Sequence, residues 1–179
     1  MTQPAMDFSD GPTAGLIQRL EGFVILQRQA FDLFADYRQF YLWDRDMACE
    51  APTEYTDEDV RRRIKVGSHV VVIQPARDTT VPVAVEVHDS DPGFAPAEWD
   101  HIAEASLHLP TGRLQVHECT GGPAADFKVE PGWYRVRSFS GGLAAIDESG
   151  MTGGDHYLEV LWQVSETEVR VIKQWEPAE

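Results

Sequence analysis

Val81-Pro-Val-Ala-Val-Glu-Val-His88 places a valine at every second position and a different class of residue between them. Successive side chains of a strand point to opposite faces, so this period of two reads as a half-buried strand. Pro82 cannot donate to a ladder, which puts it on an edge or at the strand start. Working outward, His69–Gln74 is a β-branched run, and Asp100–Leu109 alternates with Ala103, Ala105, Leu107 and Leu109 on one face. Pro110-Thr-Gly112 is a turn signal, and Leu114–Glu118 returns after it, so the two runs predict a hairpin. Trp133–Phe139 follows Pro131-Gly132, with Tyr134 and Val136 inward and Arg135 and Arg137 outward. Tyr157–Val164 and Glu168–Trp175 predict a last hairpin around Ser165-Glu-Thr167. Strands at this spacing, with few helical patterns, predict a mainly β fold: an antiparallel β-sandwich or open barrel with one or two short helices.

The chain of 179 residues fits one domain and can bury a core without metal or disulfide staples. Residues 1–12 are polar, with proline and glycine, and read as a mobile tail; residues 13–179 read as a single β-rich domain. Within it, the spacing of Leu16, Ile17 and Leu20 predicts a short helix over Thr13–Glu21, followed by extended chain from Phe23. The N-terminus has no basic segment and no long apolar core, so it does not read as a signal peptide. No run approaches the roughly 20 apolar residues of a membrane span. Cys49 and Cys119 lie far apart, in no CxxC arrangement, as expected of thiols in a reducing, cytoplasmic setting.

Charge is the strongest global signal. Fifteen basic against 30 acidic residues give a net charge of −15. That field repels nucleic acid phosphates and anionic membranes, so direct binding to either is not expected; it favours a basic protein partner. Acidity also serves solubility, so charge alone does not name a function.

The acid is concentrated in Tyr37–Val60. An aromatic run, Phe40-Tyr-Leu-Trp43, sits in a strand predicted over Phe34–Asp44, with Tyr41 and Trp43 on one face and Phe40 and Leu42 on the other. From Asp44 to Asp59 there are seven acidic residues, Asp44, Asp46, Glu50, Glu54, Asp57, Glu58 and Asp59, against one basic residue, Arg45. Pro52 breaks the chain, and Thr56 then reads as the N-cap of a helix over Asp57 to about Lys65, closed near Gly67. Asp57, Glu58 and Asp59 suit the positive end of its dipole, and Arg61, Arg62, Arg63 and Lys65 the negative end. Asp44, Asp46, Glu50 and Glu54 have no such local reason.

No constellation predicts catalysis. His101, Glu104 and His108 would share a face on a helix, but on a strand His101 points away from the other two, and all three read as solvent-facing polar residues. Asp155-His156 lacks a nucleophile in an elbow motif. The glycines of the loop from Ser140 to Gly154 match no phosphate loop. No catalytic residue, metal ligand or cofactor is expected. Trp99, between Glu98 and Asp100, is a candidate partner anchor, against the alternative that it folds back onto the sheet.

Tyr37-Arg-Gln-Phe40, the following Asp44, Pro52, and Tyr55-Thr-Asp-Glu58 with Val60 resemble the N-terminal half of competence protein J. Val129-Glu-Pro-Gly132 leading to Tyr134-Arg-Val136 resembles that family's closing turn and strand. The resemblance runs from about Tyr37 to Tyr157. It departs in an added N-terminal segment and in a C-terminal hairpin with no clear counterpart. The family inhibits the DNA-entry nuclease of competent bacilli. The resemblance therefore implies a non-enzymatic, immunity-type protein that binds a nuclease or similar basic toxin. On that implication Asp44, Asp46, Asp57, Glu58 and Asp59 would take the place of DNA in the basic groove, with Tyr55 as an aromatic anchor; the charge pattern adds Glu50 and Glu54 to the expected partner surface, beside the candidate anchor Trp99. A second reading is a small-ligand or enzymatic β domain with a pocket near His101, His117 and His156.

Overall fold

The computed structural model describes residues 19–20 and 22–177. The tail predicted over residues 1–12 lies outside them. So does most of the helix predicted over Thr13–Glu21; its described part, Arg19–Leu20, is strand β1. The strands that follow are β2 (Phe23–Phe34), β3 (Phe40–Asp44), β4 (Ile64–Gly67), β5 (Val70–Ile73), β6 (Thr80–His88) and β7 (His101–Leu109). Then come β8 (Arg113–Glu118), β9 (Pro123–Lys128), β10 (Gly132–Gly141), β11 (His156–Gln163) and β12 (Arg170–Lys173). One α-helix, α1 (Asp57–Arg62), joins β3 to β4.

The strands form two sheets. One has seven strands in the order β1-β2-β6-β11-β10-β7-β12, and the other five in the order β4-β5-β3-β8-β9. This is the sandwich of the two predicted architectures. The pairing is antiparallel except between β6 and β11, which run parallel. Pro82 fits inside the large sheet because it precedes that parallel ladder, which starts at Val83 against Tyr157. The missing N–H therefore lies at the strand start.

The core lies between the sheets. Val81, Val83, Val85 and Val87 meet Ala103, Ala105, Leu107 and Leu109 from their own sheet and Phe40, Leu42, Val71, Leu114 and Val116 from the other. Burying each of these valine, leucine and phenylalanine side chains stabilises the fold by about 1.5–3 kcal/mol relative to exposure. Ala84, Glu86 and His88, between and after the valines of β6, are also buried, unlike the half-buried strand expected: Ala84 belongs to a second apolar cluster with Trp99, Phe139, Leu158, Val160 and Trp162 on the outer face of the large sheet.

Three connections differ from expectation. The run predicted as one strand over Phe34–Asp44 is broken: β2 ends at Phe34, a 3-10 turn covers Asp36–Arg38, and β3 begins at Phe40. β7 and β8 do not form a hairpin; β7 pairs with β10 and β12, and β8 with β3 and β9. The turn at Pro110–Gly112 thus carries the chain from one sheet to the other. The last two strands do not pair with each other either: β12 lies against β7 and forms the edge. Period and turn signals locate strands but do not say which neighbour a strand finds.

Candidate functional site

The acidic segment lies against the outer face of the small sheet. There Tyr41, Val70 and Val72 pack with Trp43, Cys49, Ala51, Tyr55 and Cys119 in a third apolar cluster. Ala51 and Tyr55 supply the apolar side of the segment, so its charged residues are left facing outward. Cys49 Sγ donates to the carbonyls of Asp44 and His69 at 3.2 and 3.4 Å. Gly67 lets the segment approach: a Cβ there would sit 3.1 Å from the Glu50 carbonyl and 3.1 Å from Pro52 Cδ. Lys65 Nζ donates to the Glu54 carbonyl at 2.6 Å and to Asp59 Oδ2 at 2.7 Å, and lies 4.9 Å from the centroid of the Tyr55 ring.

Helix α1 opens as predicted. Thr56 caps it in a reciprocal box, its Oγ1 accepting from Asp59 N–H at 3.1 Å while Asp59 Oδ2 accepts from Thr56 N–H at 2.9 Å. It closes earlier than expected, at Arg63 in the left-handed region rather than near Gly67, and the chain enters β4 at Ile64. The Asp59 carboxyl is pulled down to about 2, first by the hydrogen bond from Lys65 and then by the Thr56 amide.

These contacts sort the candidate residues. Asp44 is fully buried. Its carboxylate accepts from Thr111 N–H at 2.8 Å, from the Thr111 hydroxyl, and from Asp46 N–H at 3.2 Å. It clamps the turn between the sheets and presents no charge to a partner. Trp99 is also buried, its ring 5.0 Å from Phe139 and 5.4 Å from His156. It folds back on the sheet instead of projecting as an anchor. Tyr55 is half-buried in the apolar cluster. Glu58 pairs with Arg62 at 2.9 Å and Arg61 at 3.9 Å, and Asp46 lies 3.5 Å from Arg45. Glu50, Glu54 and Asp57 are exposed, and their carboxylates make no ion pair among the described residues. What remains outward is an acidic strip on an anchored segment.

His101, His117 and His156 share no pocket. His101 is buried, with Nε2 at 2.9 Å from the Arg62 carbonyl. His117 lies against Trp43 on the small sheet, 4.4 Å between ring centroids. His156 packs on Trp99, on the other face of the large sheet from His101. A groove of about 440 Å³ occurs elsewhere, lined by residues that include Leu26, His88, Lys128 and Tyr134 and by none of these three histidines.

Nor do His101 and Glu104 face solvent as expected, while His108 is half-buried and stacks on Trp133 with 4.5 Å between ring centroids. His101 and Glu104 are each 1% exposed. Glu104 receives Arg135 at 3.0 Å, Arg137 at 2.6 Å and Arg170 at 2.8 Å. Burial works to raise its pKa, but the bonds from Arg170, Arg137 and Arg135 outweigh it and the net shift is downward. This knot ties the edge strand β12 to β7 and β10. No group of three or more His, Cys, Asp or Glu among the described residues is placed to hold a metal ion, and no described helix is long and apolar enough to cross a membrane.

A fold of this kind is already solved. ComJ from Bacillus subtilis, an inhibitor of the DNA degrading activity of NucA, superposes with a TM-score of 0.61 at 13% identity, covering 76% of this chain and 96% of ComJ. The chain has the ComJ fold. The product of crocagin biosynthetic gene J superposes with a TM-score of 0.49 at 18% identity, over 77% of this chain and 97% of that one. No family model and no curated protein matches the sequence.

Sequence reading missed the turn at Asp36–Arg38. Tyr37 and Arg38 both adopt positive φ, 57° and 55°, which costs a non-glycine residue about 1–3 kcal/mol each. Neighbours hold them there: Tyr37 N–H is shared between Asp36 Oδ1 at 3.1 Å and Asp78 Oδ1 at 3.0 Å, and Thr120 Oγ1 donates to Asp36 Oδ2 at 2.7 Å. No turn dipeptide marks it; only Asp36, an acceptor for nearby amides, hints at it.

Proposed function

We propose that this chain is a non-enzymatic protein that binds a nuclease or similar basic toxin and blocks it. One observation carries the reading: carboxylates at Glu50, Glu54 and Asp57 stand on a segment anchored to the sheet, in a chain of net charge −15 and of the fold of a nuclease inhibitor. A nuclease needs a basic groove for its phosphodiester substrate, and a rigid acidic strip competes for that groove. Because the segment is held by Cys49, Lys65 and Thr56, little ordering cost falls on association. Opposite net charges steer the encounter, so binding is fast and weakens as salt rises. On this reading the protein does not bind nucleic acid directly, needs no cofactor and works in the cytoplasm.

The test is a pull-down from the native host at low salt, followed by a nuclease assay on whatever is retained. A basic nuclease that is recovered and slowed in proportion to added protein supports the reading. Retention of no basic protein, with no nuclease slowed, refutes it.

A further inference from the structure

Two histidines from different sheets meet near the turn that carries the chain between them. His69 is the second residue of the two-residue loop joining β4 to β5 in the small sheet, and His108 lies one residue from the end of β7 in the large sheet. Their ring centroids are 5.2 Å apart, with the planes tilted by 36°. Both side chains are half-buried, so solvent reaches the pair. His69 has φ of 56°, a left-handed conformation that turns usually give to glycine or asparagine. That conformation costs about 1–3 kcal/mol and persists where neighbours over-determine it, as at ligand sites. Here the His69 carbonyl is fixed by Asp44 N–H at 3.1 Å and Cys49 Sγ at 3.4 Å. The ring is fixed too: His69 Nδ1 lies 3.3 Å from the His108 carbonyl. A carbonyl only accepts, so in the neutral ring Nδ1 carries the proton and Nε2 keeps its lone pair. A metal-binding histidine is supported in this way, by its second nitrogen donating to a carbonyl or carboxylate. His108 is oriented instead by Trp133, on which it stacks at an interplanar angle of 13°. The ring nitrogens of His108 make no hydrogen bond with a described residue.

We propose that His69 and His108 form a binding site for a transition-metal ion of the Zn²⁺ type, which ties the two sheets together. A tetrahedral ion bonded at about 2.0–2.1 Å to one nitrogen of each ring holds the two centroids roughly 5 Å apart, the separation already present. Imidazole suits zinc, copper and nickel, whereas magnesium and calcium prefer oxygen. No third His, Cys, Asp or Glu among the described residues joins the pair, so the remaining positions go to water or to a side chain of a partner. The net charge of −15 gathers cations of every kind around the chain, and the two imidazoles select among them. An ion held only by the folded arrangement stabilises it by mass action. The proposal does not depend on the nuclease reading.

The experiment titrates the isotopically labelled full chain with ZnCl2 over a background of excess MgCl2, which occupies surface carboxylates. The ring signals of all six histidines are followed by NMR, and the melting temperature by circular dichroism. The expected result is a saturable change at His69 and His108, with one ion per chain and the other four histidines unmoved. The melting temperature should rise by about 2–4 °C with ZnCl2 and not with MgCl2 alone. Two variants remove one ligand each while keeping the local structure. His69→Asn suits the left-handed turn, and His108→Phe keeps a ring on Trp133. Each should weaken Zn²⁺ at least tenfold and abolish the rise in melting temperature. If either variant misfolds, the histidine signals of the wild type decide the matter. Overturning results are Zn²⁺ changing other histidines and not these two, no saturable change, unaltered affinity in a folded variant, or displacement of Zn²⁺ by MgCl2, which would place the ion on carboxylates.

Discussion

The Thr111 amide donates to the Asp44 carboxylate at 2.8 Å, joining the end of β3 to the turn that carries the chain between the sheets. Sequence places Asp44 at the head of an acidic run, but the fold spends it on this turn. Asp44→Ala leaves the Thr111 and Asp46 amides without their acceptor in a buried setting. Unfolding in urea should show a loss of about 2–4 kcal/mol. Glu50→Ala, on the exposed part of the same run, should change stability by no more than about 0.5 kcal/mol. Equal effects would mean that Asp44 does not clamp the turn.

Glu159 is the second group whose role only the structure reveals. It lies between Tyr157 and Leu161 on the core-facing side of β11 and is completely buried. Oε1 accepts from the Ser138 hydroxyl at 3.0 Å, while Oε2 has no hydrogen-bond partner among the described residues. Burial raises its pKa well above the ordinary carboxylate value of 4.5. A raised folded-state pKa gives stability that is fully present below the unfolded value and is lost as pH climbs toward the folded value. Glu159→Gln cannot titrate, so it should match the wild type near pH 4 and exceed it increasingly toward neutral pH. Chemical denaturation across this range reads the difference; a gap that stays constant with pH would refute it.

Asp59 behaves in the opposite sense. Its folded-state pKa is depressed from 3.8 to about 2 by Lys65 and Thr56. The stability it contributes is present above about 4 and disappears as pH falls toward about 2. Lys65→Met removes the largest cause and also releases the Glu54 carbonyl. The Asp59 pKa, followed by NMR titration of its carboxyl, should rise toward the ordinary value. The amides of residues 50–56 should also exchange faster than in the wild type. An unchanged Asp59 titration would show that Lys65 does not anchor the segment.

The periodic parts of the fold were legible because periodicity reports burial directly. Val81–Val87 and Ala103–Leu109 alternate, and their inward faces are the ones expected. Thr56 was legible as a cap because its effect is local, three residues away. Strand partners were not legible: β7 passes β8 and meets β10, a choice made by the whole sandwich. Glu104 was misjudged for the same reason. A carboxylate on a strand reads as exposed until three arginines from β10 and β12 arrive to cover it. Of the acidic run, sequence supplied the charge but not the burial of Asp44 or the pairing of Glu58.

The acidic strip yields a prediction separable from net charge. Glu50→Lys with Glu54→Lys changes the charge of the chain by the same amount as Glu148→Lys with Glu166→Lys, and all four positions are exposed. If the strip faces the partner, the first pair should cut the association rate with the captured nuclease by tenfold or more at low salt and flatten its salt dependence. The second pair should lower the rate only a few-fold, since distant charges act through a screened field. Stopped-flow association over a range of salt concentrations reads both effects. Asp57→Lys needs separate treatment, because it also places a positive charge at the N-terminal end of α1 and weakens the helix by about 0.3–1 kcal/mol. Equal slowing by the two pairs would leave only the long-range field, and Glu50 and Glu54 would lose their place in the binding surface.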